Sequence, residues 1–181
     1  MRLDLTELLL NVGKRLPYEV SEPPIVDEDL ECTAPIEGRM VFTNTGSVLL
    51  MEGSVETRVA LPCSRCAVYF EEPVWADLSD QFALEAKAAG PHGRASHVEV
   101  EEDVNPSAGR LFEGHLFDLT EFLRQNILLS LPSSPLHDAS CRGLCAACGK
   151  DLNEGPCGCP AVPAAPALSG LAVLLGSDNE G

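Results

Sequence analysis

The sequence predicts an α+β fold, a mainly antiparallel β-sheet or partly open barrel with one or two covering helices. Three observations support this prediction. Apolar and polar residues alternate with period two from Ile36 onward, and polar turns break the alternation into short segments. One helical stripe follows Asp118. Five of the eight cysteines fall within nineteen residues near the C-terminus, which predicts a small cysteine-rich appendage.

The alternating pattern predicts three long strands, at 36–43, 46–61 and 67–79. In the second strand one face is formed by Val55, Thr57, Val59 and Leu61. In the third strand the apolar side is formed by Val68, Phe70, Val74, Ala76 and Leu78. This arrangement places Cys63 and Cys66 in a hairpin turn. Residues 85–97 are rich in Ala, Gly and polar side chains and predict a loop, after which Val98 and Val100 suggest another strand.

The covering helix is predicted at 119–130. Asp118 is suited to the N-cap position with Glu121 three residues later, and Pro132 ends the apolar stripe. The first ten residues contain leucines that suit either a strand or a short helix. Three prolines predict that residues 17–31 run extended around the domain.

The composition predicts three regions along the chain. Residues 1–135 are expected to form the β-rich domain, including the covering helix, because 181 residues suffice for one ordinary core. Residues 136–160 are expected to form a cysteine-rich, zinc-binding segment that packs on that domain. Residues 161–181 are rich in Ala and Pro and predict a flexible tail, with a short apolar turn at 171–175.

The chain is strongly acidic, with 12 Lys and Arg against 28 Asp and Glu and a formal net charge of -16. This charge repels phosphate backbones and favours basic protein partners; the alternative is that it only keeps the protein soluble. Asp4 and Glu7 interrupt the apolar run at the N-terminus, so neither a secretory signal nor a membrane span is expected there. We therefore expect a cytoplasmic location, where thiols stay reduced.

The cysteine spacing predicts metal ligands. In one division, the C-terminal thiolates form one compact site and the remaining clustered cysteines form another. The compact site has Cys145, Cys148, Cys157 and Cys159, and the other has Cys63, Cys66 and Cys141. The competing division joins the two C-x-x-C turns into a single zinc ribbon. His137 is interpreted as a loop histidine, with ligation beside Cys63, Cys66 and Cys141 as the alternative. Cys32 stands apart and is interpreted as a buried or idle thiol.

Catalysis finds little support in the sequence. A thioredoxin-type C-x-x-C lies at a helix N-terminus, which lowers the pKa of the nucleophile. The residues after Cys66 instead predict a strand, which leaves Arg65 as the remaining electrostatic support. Hydrolytic zinc needs an open coordination position, and sites closed by thiolates leave none. No nucleophile triad or phosphate-binding loop stands out, so we expect no enzyme.

Two motifs carry a family resemblance. Leu61-Pro-Cys-Ser-Arg-Cys66 precedes an acidic aromatic strand, and Cys141-Arg-Gly-Leu-Cys-Ala-Ala-Cys-Gly-Lys-Asp-Leu-Asn-Glu-Gly-Pro-Cys-Gly-Cys159 follows the helix that leads into Leu131-Pro132. These stretches resemble the YceD family, the bacterial large ribosomal RNA subunit accumulation proteins. The resemblance implies a cytosolic, non-catalytic factor that supports synthesis, processing or stability of 23S rRNA, with zinc as a structural device.

Charge and resemblance together predict how this factor reaches preribosomes. We expect it to bind a basic ribosomal or assembly protein, so that its contact with 23S rRNA is indirect. The alternative from another class is a direct RNA-binding zinc module, in which Arg65, Arg142 and Lys150 contact RNA.

Overall fold

The structure, a computed structural model, describes residues 1–89, 95–100 and 111–160. The described residues contain eight strands and two helices. In chain order these are β1 Arg2–Asp4, α1 Thr6–Leu9, β2 Arg15–Glu22, β3 Ile36–Asn44, β4 Val48–Pro62, β5 Tyr69–Ala89, β6 Ala95–Val100, β7 Phe112–Glu113, β8 Leu116–Asp118 and α2 Leu119–Ser130. The predicted tail at 161–181 and its apolar turn lie outside the described residues.

The chain divides into two units. The sheet unit comprises Met1–Leu61 and Tyr69–Pro135, and the cysteine unit comprises Pro62–Val68 together with the segment that begins at Leu136. The cysteine unit is therefore discontinuous in sequence, because the turn between β4 and β5 belongs to it. Sequence boundaries drawn along a continuous chain do not anticipate such a unit.

Five strands form the larger sheet, in the spatial order β2-β3-β4-β5-β6. Antiparallel pairing of β3 with β4 sets Glu37 opposite Glu56 and Phe42 opposite Met51. The long strands lie where the period-two pattern predicts them, since alternate side chains of β4 from Leu49 to Val59 are buried. Val68 is an exception: it is 49% exposed and precedes β5, so its predicted place on the apolar side is wrong.

The loop predicted at 85–97 is wrong for 85–89 and 95–97, and residues 90–94 lie outside the described residues. Residues 85–89 continue β5, and they pair antiparallel with β6, in which the strand predicted at Val98 and Val100 is confirmed. The register shifts between Ala86 and Ala89, which marks an irregularity in this ladder. Paired edge strands are held by their backbone hydrogen bonds, so a stretch rich in alanine, a weak strand former, still forms strand there.

The N-terminal leucines divide between two elements. Leu3 lies in β1, which pairs with β8 in a three-stranded sheet of order β1-β8-β7, and Leu8 and Leu9 are buried in α1. The stretch predicted to run extended, 17–31, includes residues 17–22 of β2, in which Pro17 lies opposite Val41. Since β2 is an edge strand in this order, a residue without a backbone N–H is tolerated there.

Helix α2 begins and ends where the sequence predicts. The Asp118 carboxylate accepts a hydrogen bond from the backbone N–H of Glu121 at 3.1 Å, so Asp118 is the N-cap. Leu131 is extended, as expected before Pro132. The buried face of the helix carries Leu119, Phe122, Leu123 and Ile127.

The core of the sheet unit lies against one face of the five-stranded sheet. Edge-to-face and tilted aromatic contacts run from Phe42 through Phe117 to Phe122, with ring centroids 5.6 and 5.4 Å apart. Both sheets are open within the described residues, so the predicted α+β fold with covering helices is confirmed. Among the same residues, no helix is both long and apolar enough to cross a bilayer.

Candidate metal centre

The first C-x-x-C motif forms a tight turn closed by two backbone hydrogen bonds. The N–H of Cys63 donates to the carbonyl of Val68, and the N–H of Ala67 donates back to the carbonyl of Cys63, both at 2.9 Å. Ala67 has a φ of 59°, the left-handed conformation that favours glycine. The predicted hairpin position of Cys63 and Cys66 is thus observed, between β4 and β5.

The second C-x-x-C motif repeats this turn. The N–H of Cys145 donates to the carbonyl of Lys150, and the N–H of Gly149 donates to the carbonyl of Cys145, both at 2.8 Å. Gly149 has a φ of 72°, which matches Ala67 in the first turn. A turn of this kind directs both cysteine side chains of the motif to one side, as a tetrahedral metal requires.

The cysteine unit brings the clustered thiols together in two groups. The first group contains Cys63, Cys66, Cys141 and His137, and the second contains Cys145, Cys148, Cys157 and Cys159. Within each group the donor atoms lie within 4.8 Å of one another. Of the two divisions considered from the sequence, this grouping is the first. That either group binds a metal stays a prediction.

Distances within the first group suit a tetrahedral ion. The sulfurs of Cys63 and Cys141 are 3.8 Å apart, and Cys66 Sγ lies 3.3 Å from Nδ1 of His137. Zinc–sulfur bonds of about 2.3 Å at tetrahedral angles separate two sulfurs by about 3.8 Å. A disulfide would instead hold them at about 2.05 Å, and all eight cysteines are free thiols.

Local hydrogen bonds and mutual repulsion shift the thiol pKa values of the first group in opposite directions. Burial is the largest effect on Cys63 and raises its pKa, but bonds from the backbone N–H groups of His137, Arg65 and Cys66 lower the pKa to about 5. For Cys66 the backbone N–H of Val68 has the largest effect and lowers the pKa, whereas burial and the sulfurs of Cys63 and Cys141 raise it to about 11.

The thiol pKa values of the second group also shift in opposite directions. Backbone N–H groups of Cys148 and Ala147 lower the pKa of Cys145 to about 6. Hydrogen bonding to Cys148, followed by burial and repulsion, raises the pKa of Cys159 to about 12. Neighbouring thiolates cannot all ionise unless a cation is placed between them, so both donor sets fit a divalent metal.

Arg65 and Asn153 support the first group from outside. Arg65 donates from Nη1 to the carbonyl of Cys141 at 2.8 Å. Asn153 accepts from the N–H of Arg142 at 2.7 Å and donates from Nδ2 toward Cys141 Sγ at 3.5 Å. Gly143, with a φ of 74°, lies so close to the Arg65 carbonyl that an added Cβ would be 2.9 Å from its oxygen.

Sulfur atoms take the place of an apolar core in the cysteine unit. Among its described residues the nearly fully buried apolar side chains are those of Cys63, Cys66 and Cys141. Leu144, one of its three leucines in the described range, is 43% exposed. Burial of apolar surface therefore contributes little to its stability, and a metal bound by the thiols is the available source.

The sequence left the role of His137 open and did not identify Asn153. His137 is exposed, as interpreted, yet its ring nitrogen belongs to the group; its position four residues before Cys141 is the signal that favours ligation. Asn153 gave no signal of its own. Cys32 lies in the sheet unit, where it is buried and burial raises its pKa, in keeping with its interpretation as a buried thiol.

Comparison with known proteins places these groups in a family context. The family model described as large ribosomal RNA subunit accumulation protein YceD matches residues 51–175, a range that contains every member of both groups. The chain is also similar to the uncharacterized protein ML1660 of Mycobacterium leprae (strain TN), with 28% identity over 162 residues, 84% of this chain and 68% of that protein. No solved structure matches the chain.

Proposed function

This chain belongs to the YceD family, the large ribosomal RNA subunit accumulation proteins, and we propose that it is a non-catalytic, cytoplasmic factor that supports the accumulation of 23S rRNA. The observation that carries this proposal is the family match, which covers most of the chain and both cysteine groups. The factor acts during ribosome biogenesis through a basic ribosomal or assembly protein, and its contact with the preribosome is indirect.

Both cysteine groups hold structural zinc in this proposal. Thiolate-rich tetrahedral donor sets suit zinc or iron–sulfur clusters, and a mixed set of three cysteines and one histidine is a common structural zinc site. Cys63, Cys66, Cys141 and His137 would hold one ion, and the other four cysteines the second. Four protein donors leave no position for substrate, which supports a structural role.

Charge supports a protein partner over direct RNA contact. The chain carries a formal charge of -16, which opposes approach to a phosphate backbone. The three cations of the alternative RNA-binding module are engaged locally: Arg65, Arg142 and Lys150 donate to the backbone carbonyls of Cys141, Leu152 and Pro156. Their contacts favour a role in holding the cysteine unit together.

The redox alternative has one observation in its favour, the lowered pKa of Cys63. However, Cys63 is 3% exposed, so a substrate disulfide has little access to its sulfur. The motif also precedes the strand β5 and not a helix. A low thiol pKa inside a closed donor group suits metal binding as well, because the metal binds the thiolate.

Sedimentation of ribosomes from a strain that lacks the gene tests the proposed function. We expect a lowered ratio of large to small subunits and less mature 23S rRNA, restored by the wild-type gene. A variant with Cys145→Ser and Cys148→Ser should restore it poorly, because the second group loses two donors. A normal subunit ratio with intact rRNA processing would contradict the proposal.

Purification at low and high salt separates the two modes of binding. Attraction between an acidic factor and a basic protein weakens as salt rises. We expect a protein partner to be retained at low salt after RNA is digested, and to be released at high salt. Tight binding to purified RNA that is lost in Arg142→Ala would favour the RNA-binding module instead.

A further inference from the structure

The outer face of the five-stranded sheet carries two adjoining grooves. One has a volume of about 430 Å³ and the other about 500 Å³, and both are lined by Glu37, Glu56 and Trp75. Each of these side chains is exposed, on strands whose alternate residues form the core. The grooves therefore meet at these three residues, in the middle strands of the sheet.

Glu37 and Glu56 form a like-charged pair. They lie directly opposite each other in the register of β3 and β4. Like charges at such positions destabilise a sheet. Neither carboxylate makes an ion pair or side-chain hydrogen bond with any residue of the described ranges. Arg58, which lines one of the grooves, pairs instead with Glu71 at 3.7 Å. A cation placed between the two carboxylates would relieve this repulsion.

Trp75 supplies the apolar surface of the site. Its side chain is 63% exposed, although tryptophan is usually well buried. An exposed indole face beside carboxylates attracts a guanidinium group, which stacks on the ring while it donates hydrogen bonds to the acids. Glu19 adds a third carboxylate to the lining, which also contains two guanidinium groups, those of Arg39 and Arg58.

Charge argues against three other occupants. A second copy of the chain would bring the same acidic face against this one. RNA would bring phosphates toward the carboxylates. The chain's own C-terminal segment, residues 161–181, contains no Lys or Arg to place between Glu37 and Glu56.

We propose that the grooves around Glu37, Glu56 and Trp75 bind an extended, arginine-bearing segment of a basic protein. One guanidinium group stacks on Trp75 and bridges the two glutamates. This inference rests on the proposed function for the nature of the partner and adds the surface that recognises it.

Binding of a defined peptide to the full-length protein tests the site. The probe is a fluorescein-labelled peptide of alternating glycine and arginine, and its control replaces arginine with citrulline, which keeps the shape but not the charge. We expect Trp75→Ala to weaken binding about fivefold, as for an exposed cation–π contact. Glu37→Gln with Glu56→Gln should weaken it about tenfold, since charge-assisted bonds are lost.

Two variants serve as matched controls. Glu52→Gln removes the same charge from an exposed position of β4 outside the grooves, and Tyr69→Ala removes an aromatic ring that is 69% exposed from β5. Both should bind the arginine peptide as the wild type does. Thermal unfolding checks the fold, and loss of the like-charged pair is expected to raise the midpoint.

Three outcomes would overturn the inference. These are equal binding of the arginine and citrulline peptides, unchanged binding in the groove variants, and self-association that Trp75→Ala abolishes. Unchanged binding in the variants would leave the proposed function standing, because a basic partner could then dock elsewhere. Conversely, a normal subunit ratio in the deletion strain together with arginine-dependent binding at the grooves would contradict the proposed function. The proposed binding site would then still be supported.

Discussion

Ala67 and Gly149 occupy equivalent positions in the two C-x-x-C turns. Each follows the second cysteine of its motif, each donates its N–H to the carbonyl of the first cysteine, and each has a positive φ, of 59° and 72°. One turn therefore uses the residue best suited to this conformation, and the other uses an alanine at a cost of about 1–2 kcal/mol. This difference gives the first prediction.

Ala67→Gly should stabilise the cysteine unit. Glycine adopts the positive φ without strain, and its larger entropy loss on folding offsets part of the gain, so we expect a net benefit of about 0.5–1 kcal/mol. Unfolding of the zinc-loaded protein measures it. Ala147→Gly is the matched control, since Ala147 has no positive φ and should lose stability. A loss of stability in Ala67→Gly would contradict the assigned conformation.

Gly143→Ala should be more damaging than Gly149→Ala. Both glycines have a positive φ, but an added Cβ meets the carbonyl oxygen of Arg65 at 2.9 Å only in the first case; at Gly149 it meets nothing within 4 Å. We expect about 1 kcal/mol of strain at Gly149, and more at Gly143 because the backbone must also shift. Chelator competition on each variant measures the resulting loss of metal affinity. Equal effects would show that the close approach to Arg65 is unimportant.

Asn153→Asp should weaken metal binding by the first group and spare the second. Aspartate keeps the oxygen that accepts from the N–H of Arg142, but it loses the amide that donates toward Cys141 Sγ. Loss of a hydrogen bond to a ligand atom typically lowers metal affinity about 10–100-fold. Stepwise zinc release to a chromophoric chelator resolves the two sites. Asn153→Ala loses both of these bonds and the one from Nδ2 to Asp151, so it should be worse. An unchanged first site in both variants would rule out this support.

Arg124→Met should make the sheet unit less sensitive to acid. Arg124 donates to Asp27 at 2.5 Å and lowers the pKa of that carboxyl below its ordinary 3.8. A lowered pKa stabilises the folded state above the ordinary value, and this contribution is lost as the pH falls through the folded value. The variant should thus be less stable than wild type at neutral pH. The difference in unfolding free energy between the two should narrow below pH 3.8. Denaturant titrations across this range measure the difference, and a difference independent of pH would assign the effect to packing.

Chelation should unfold the cysteine unit and leave the sheet unit folded. The sheet unit has its own core of buried aliphatic and aromatic side chains, whereas the cysteine unit buries chiefly sulfur. Hydrogen exchange after metal removal should lose protection at the amides of Cys145 and Gly149 and retain it at Met51. Protection at Cys145 that survives complete metal removal would mean that the turns are stable without an ion.

Local rules were sufficient for much of the sheet unit. The alternation in β4 and the Asp118–Glu121 cap each report on neighbours in sequence, and they located the strand and the helix. They failed at 85–89, where cross-strand backbone pairing decides the structure of an alanine-rich stretch. The cysteine groups depend on contacts over long sequence separations: spacing named the thiols, but it could not decide which division they take or that Asn153 bonds Cys141.

Metal content measured together with ligand identity tests the central claim most directly, which is that the two groups are closed structural zinc sites. We expect protein purified without added metal to contain one zinc ion for each group. X-ray absorption should show sulfur-dominated tetrahedral coordination with some nitrogen, and His137→Ala should remove the nitrogen contribution. Protein that is free of metal, with all its thiols open to alkylation and the turn amides still protected, would contradict the account.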